Sequence, residues 1–176
     1  MRKLIDILHL RGIKRKRVLY LVNNKYAGKF TKKAFDKKRK LLNSIGIVIG
    51  EGTRVVGPIE CCGKLIVGKN CWIGKNLKVN GNGMVVIGDN CDIAPEVTFQ
   101  TGGHEIGLKE RRAGEGLVHN QKIGNGVWIG GRVTICNTVC VGDSCVVASC
   151  ACVVKDVPSN VLVGGVPAKV IRELGE

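Results

Sequence analysis

Only three histidines, His9, His104 and His119, occur in the 176 residues, and none stands within four positions of a cysteine. The nine cysteines form no Cys-x-x-Cys pair; Cys61-Cys62 and Cys150-x-Cys152 come nearest to one. That pattern argues against a zinc site, and no metal is expected. Nine is an odd count, and no export signal opens the chain. Asp6 and His9 interrupt the apolar stretch around Leu4, Ile5 and Leu8, and Arg11 to Arg17 follow where small residues would mark a cleavage site. Disulfides are therefore not expected, and a cytoplasmic, reducing location is. No stretch approaches the roughly 18 apolar residues of a membrane-spanning helix.

Acidic side chains are scarce in one place. Residues 1–43 carry 15 basic and 2 acidic side chains, while residues 44–176 carry 13 and 12. The formal charge of +14 therefore belongs to an N-terminal segment, and the body is nearly neutral. Averaged over the chain, that charge suggests a nucleic-acid binder; segregated in this way it does not. The length suits one domain with one core.

What the body has is a period of six. Val67-Gly68, Ile73-Gly74 and Val79-Asn80 form one run, and Ile87-Gly88, Ile93-Ala94 and Phe99 form a second after a two-residue slip. The third run is Ile123-Gly124, Ile129-Gly130, Ile135, Val141-Gly142, Val147-Ala148 and Val153, with Ile49-Gly50 and Val55 as a weaker early pair. One large apolar residue in six suits no helix. It suits a strand and a turn, three of which make one coil of a triangular parallel β-helix. Four positions after each large residue the side chain also points inward, into less room. Cys71, Cys91 and Cys145 fall there, so the cysteines read as small buried residues. Asn and Gly in Gly-Lys-Asn, Gly-Asp-Asn and Gly-Asn-Gly suit corners that need positive φ.

Residues 100–122 keep the register but break the pattern, with Glu105, Arg111 and Leu117 at the inward positions. Charged side chains cannot fill a dry prism, so this stretch is expected to leave it as a loop. Loops of this length on a rigid scaffold tend to carry function.

The half of the chain from Ile87 to Leu174 carries several specific motifs. They are Ile87-Gly88-Asp89-Asn90, Ile93-Ala94-Pro95, Thr101-Gly102-Gly103-His104 and Glu110-Arg111-Arg112-Ala113-Gly114. Val127-Trp128-Ile129-Gly130-Gly131 and the closing Gly165-Val166-Pro167-Ala168-Lys169-Val170-Ile171-Arg172 complete them. In this order they resemble the hexapeptide-repeat sugar O-acetyltransferases, both the maltose and galactoside enzymes and those of capsule and surface-polysaccharide pathways. The resemblance implies a left-handed β-helix, a homotrimer with active sites between subunits, and acetyl-CoA as co-substrate. It makes His104 the general base and Gly131 the backbone donor to the oxyanion. It places Trp128, Gly131, Ser149, Lys155, Lys169 and Arg172 in the donor groove, the cations facing the phosphates of coenzyme A. Asn80, Asn82, Glu110, Arg111 and Arg112 are the candidates for contact with the sugar or glycan-precursor acceptor. The chain departs from the family's pattern at Cys136-Asn137-Thr138, at Ala148-Ser149-Cys150-Ala151 and at Val154.

Imidazole suits the chemistry, because it titrates near neutral pH and can take a hydroxyl proton and return it to a leaving thiolate. A γ-class carbonic anhydrase of the same fold would need three converging histidines. A xenobiotic acetyltransferase, and a non-catalytic scaffold or nucleic-acid binder working through the basic segment, are the alternatives.

Three regions are expected: a basic helical segment over 1–43, the β-helix over 44–165 with its loop at 100–122, and a short helix and tail over 166–176. In the first, breaks are expected at Gly12 and Asn23-Asn24, with a helix over Lys32 to Leu42. Its lysines fit either an anionic membrane surface or solvent, with the helices packed on the end of the solenoid.

Overall fold

In the computed structural model, which describes the backbone of residues 2–175 and the side chains of Leu10 and residues 12–175, the six-residue units are short strands joined by turns. The expectations for Leu4, Ile5, Leu8 and His9 concern side chains outside the described residues. Each unit pairs in parallel with the unit one coil away, so three sheets form the faces of a prism. The first face holds Val48–Ile49, Lys64–Val67, Met84–Ile87, Gln121–Ile123 and Val139–Val141. The second holds Arg54–Val55, Trp72–Ile73, Asp92–Ile93, Trp128–Ile129, Val146–Val147 and Val161–Gly165. The third holds Ile59–Cys61, Leu77–Asn80, Thr98–Gln100, Thr134–Cys136 and Cys152–Val153.

The six-residue register is the one the strands adopt. Ile49, Val67, Ile87, Ile123 and Val141 are stacked partners on the first face. Val55, Ile73, Ile93, Ile129, Val147 and Val163 stack on the second, and Cys61, Val79, Phe99, Ile135 and Val153 on the third. All are buried. Each large member contributes roughly 1.5–3 kcal/mol by leaving water. At one line of corners Asn70, Asn90, Gly126, Ser144 and Asn160 all have φ between 55° and 64°, which bears out the turn reading. The next line starts with Asn76 at φ 59° and then uses residues with no special liking for that conformation: Glu96, Arg132 and Cys150, at φ 65°, 59° and 64°.

Cysteine burial corrects one expectation. Cys61, Cys71, Cys91 and Cys145 are buried, but Cys62, Cys140 and Cys150 are exposed, and Cys136 and Cys152 are half-buried. Strand alternation turns Cys136, Cys140 and Cys152 outward, and Cys62 and Cys150 follow their strands into corners. Cys61 is the missing six-residue term that joins Ile49 and Val55 to the run beginning at Val67.

Both ends of the prism expose sheet edges that need partners. At the N-terminal end the basic segment supplies them from side chains. It folds as α1 (Arg2–Tyr20), a π-turn over Leu21–Lys25, and α2 (Lys32–Asn43) capped by Thr31. Asn43 bonds both the N–H and the C=O of Ile49, at 2.7 and 3.2 Å. Asn23 does the same for Ile59, at 2.9 and 2.8 Å. Lys38 Nζ donates to Val56 O at 3.0 Å, and Arg15 donates to Cys61 O at 2.6 Å. Val18, Val22 and Leu42 close the core beneath them. Packing on the solenoid end is thus the structural role of this segment. Gly12 does not break α1; it lies inside it.

At the C-terminal end the helix expected for 166–176 is replaced by a strand. Ala168–Glu173 pairs antiparallel with Val161–Gly165. The open edge of the second face offers backbone partners that a helix would leave unpaired, and Val170-Ile171 favours the extended form.

Candidate active site

The chain leaves the third face after Gln100 and returns to the first at Gln121, so the expected loop springs from the edge between those faces. It is a hairpin, Gly102–Ile106 paired antiparallel with Ala113–Val118. Glu105 and Arg111, the residues that broke the period, are exposed on it. Its root is fastened by buried polar groups. Thr101 N and Oγ1 both donate to Asn80 O, at 2.7 and 2.9 Å, and His119 N donates to Thr101 O at 2.9 Å. Gln121, inside the prism, donates from Nε2 to the carbonyls of Gln100, Ile135 and Asn137, each at 3.0 Å. Gly81, at φ +102°, sits so close to Thr101 and Gly102 that a Cβ there would collide with their backbone.

His104 lies opposite Gly116 on the hairpin, exposed, with Nδ1 3.0 Å from Gly114 O. A carbonyl oxygen only accepts, so Nδ1 is the donor in this contact, and in the neutral ring the lone pair is on Nε2. His119 packs across the hairpin root. Its Nδ1 is 3.4 Å from Thr138 Oγ1, and a Cβ on Gly103 would stand 2.9 Å from its Nε2. Thr138 belongs to the segment that departs from the family's pattern. Asn80 and Asn82 are at the same root, whereas Glu110, Arg111 and Arg112 are at the exposed tip, where Arg112 donates to Gly107 O at 3.2 Å.

The residues expected in the donor groove do not all gather at His104. Lys155, between the third face and Val157, shares its edge. Trp128, 57% exposed, stands out from the second face, in register with Asp92 and Val146. With Trp72, Ala94 and Pro95 it lines a groove of about 370 Å³. Pro95 leads on to a second groove of about 360 Å³, lined by Glu96, Gly131, Arg132, Ser149 and Cys150 at the edge between the second and third faces. Lys169 and Arg172 lie on the final strand, opposite Gly164 and Leu162. Among the described residues the Gly131 N–H has no hydrogen-bond partner. Arg132, held by Glu96 through a 2.8 Å ion pair that favours its charged form, was not anticipated, nor was Trp72. Trp72-Ile73-Gly74 and Trp128-Ile129-Gly130 are the same three letters on the same face, and that repeat is the signal for the groove.

Comparison with known proteins places this arrangement. The chain is 36% identical over 143 residues to galactoside O-acetyltransferase of Escherichia coli, covering 80% of this chain and 70% of that enzyme. This chain belongs to the hexapeptide-repeat acetyltransferases. No family model matches it. A hexapeptide-repeat-containing acetyltransferase from Vibrio cholerae complexed with acetyl coenzyme A superposes with a TM-score of 0.79 at 27% identity, covering 97% of this chain and 90% of that one. A galactoside acetyltransferase in complex with coenzyme A gives a TM-score of 0.72 at 30% identity, over 96% and 82% of the two chains. The grooves and the hairpin of this acetyltransferase thus belong to a scaffold that carries coenzyme A in both of those structures.

Proposed function

We propose that this acetyltransferase moves the acetyl group of acetyl-CoA to a hydroxyl of a sugar or glycan precursor, with His104 as general base. One observation carries the reading: the bond from Nδ1 to Gly114 O, which leaves Nε2 as the accepting nitrogen on an exposed hairpin. The galactoside acetyltransferases among its relatives support a sugar as the acceptor. The hydroxyl oxygen attacks the thioester carbonyl carbon as its proton passes to Nε2. The oxyanion of the tetrahedral intermediate takes a hydrogen bond from the Gly131 N–H. On collapse the C–S bond breaks, and the imidazolium returns the proton to the departing thiolate. Trp128 and Ser149 flank the donor groove in this reading, and Lys155, Lys169 and Arg172 meet the phosphates. Asn80, Asn82, Glu110, Arg111 and Arg112 remain the acceptor-side candidates, and a surface polysaccharide is the destination we favour for the product.

His104 and Gly131 stand on different edges of the prism. A complete site in this reading needs the hairpin edge of one copy against the groove edge of another, which agrees with the homotrimer that the family resemblance implies. The cytoplasm, where acetyl-CoA is available, is the compartment assigned. A thiol-release assay over a panel of sugars and nucleotide sugars tests the chemistry. His104→Ala should lower turnover about 10²- to 10⁴-fold, and turnover like that of the unaltered enzyme would sink the mechanism.

A further inference from the structure

The fold uses Arg15 and Lys38 of the basic segment to satisfy carbonyls of the first coil, and it leaves one face of α1 unexplained. That helix turns Arg15, Val18 and Leu19 toward the prism, with Val22 just beyond it in the π-turn. On its other side Leu10, Ile13 and Tyr20 are 64%, 51% and 66% exposed. At about 100° per residue these three side chains and Arg17 share one quadrant, opposite the packed face, with Lys14 and Lys16 on its flanks. Lys14, Lys16 and Arg17 are all exposed. From Leu10 to Tyr20 the helix holds five cations and no acid. Five more lysines, Lys29, Lys32, Lys33, Lys37 and Lys40, surround a groove of about 920 Å³ beside Tyr26 at the same end of the molecule. The only acid in that groove, Asp36, is paired with Arg39 at 3.5 Å.

An apolar stripe bordered by cations, on a helix whose other face is already anchored, is the pattern of a helix that lies in a membrane interface. We propose that this face of α1 docks on an anionic bilayer. Leu10, Ile13 and Tyr20 enter the boundary between headgroups and acyl chains, and Lys14, Lys16 and Arg17 engage the lipid phosphates. The charge selects this occupant, since a neutral protein partner would give the cations no counterpart. Among the described residues no helix is long and apolar enough to cross a membrane, so the helix lies on the surface rather than through it. The inference is independent of the acetyl acceptor.

Flotation of the full chain with phosphatidylglycerol-containing vesicles, and with phosphatidylcholine vesicles as control, tests it. The protein should float with the anionic vesicles at low salt, be released at high salt, and stay unbound to the neutral ones. The variant Leu10→Ser/Ile13→Ser/Tyr20→Ser should bind about tenfold more weakly, as should Lys14→Glu/Lys16→Glu. All five positions are exposed, so thermal unfolding of both variants should match the unaltered protein. Unchanged binding of the triple variant, or no binding of the unaltered protein, would overturn the proposal. So would a fall in solution mass on triple substitution, which would make the stripe a contact between copies.

Discussion

The imidazole of His104 is tied to the carbonyl of Gly114, on the opposite strand of an exposed hairpin, by a 3.0 Å hydrogen bond through Nδ1. That one contact sets both the tautomer and the direction of the ring, and it depends on the two strands keeping their spacing. A Cβ on Gly114 would lie 3.0 Å from Glu105 O and 3.2 Å from the Gly107 Cα. Gly114→Val should therefore spread the hairpin and misplace Nε2. Steady-state kinetics should show kcat falling about 10²-fold, while the KM for acetyl-CoA stays within about twofold. A rise in that KM with unchanged kcat would place Gly114 in donor binding instead.

If the hairpin edge and the groove edge come from different copies, two inactive chains can repair each other. His104→Ala disables one edge, and Ser149→Trp fills the groove beside Gly131. Co-expressed and purified as mixed oligomers, the two variants should regain a measurable share of activity. Each variant alone should stay inactive. Mixed oligomers as inactive as either parent would mean that each chain carries a whole site.

Asn23 imitates an additional strand for Ile59, so Asn23→Ala leaves a buried N–H and a buried C=O without partners. The loss should be about 2–3 kcal/mol in denaturant unfolding, close to two net hydrogen bonds. The effect should appear in the midpoint of unfolding and not in kcat.

Burial pulls the Lys38 ammonium from its ordinary value of 10.5 down to about 8. Between those values the unfolded chain holds a proton at this site that the folded chain has released. Stability contributed by Lys38 must therefore rise with pH from about 8 to 10.5, by up to about 3 kcal/mol. Unfolding midpoints measured over that range should rise more steeply for the unaltered protein than for Lys38→Met. Parallel curves for the two would show that Lys38 is hydrated in the folded state.

Thiol labelling reads the cysteine assignment directly. Cys62, Cys140 and Cys150 should react with an aromatic disulfide reagent in the folded protein, whereas Cys61, Cys71, Cys91 and Cys145 should wait for denaturant. Burial pushes the Cys61 thiol up, which slows it further. Rapid reaction of all nine would be incompatible with the stacked core.

Much of this was legible in the order of residues. A six-residue spacing can be read because each coil repeats the same demand, a large side chain inward and a tolerant corner after it. The excursion at 100–122 was legible by violation, since Glu105 and Arg111 occupy positions where a charge cannot be buried; that it folds as a hairpin was not. Cys61 hides in the period because a thiol does not look like Ile or Val, although it stacks on Val79 as they would. The terminal strand Ala168–Glu173 is not legible as a strand, because its pattern carries no information about the open edge it covers.

Local, repeated constraints therefore came from the sequence alone: three faces, the register within each, the line of Asn and Gly corners, and the place where the chain must leave the prism. Tertiary structure decided what depends on meetings between distant segments. It gave Asn23, Asn43, Arg15 and Lys38 their carbonyls, aimed His104 through Gly114, and put His104 and Gly131 on separate edges. A period specifies how one coil sits on the next, because the same contact recurs. It does not specify what closes the ends of the stack or which edges face one another, since each of those contacts occurs only once.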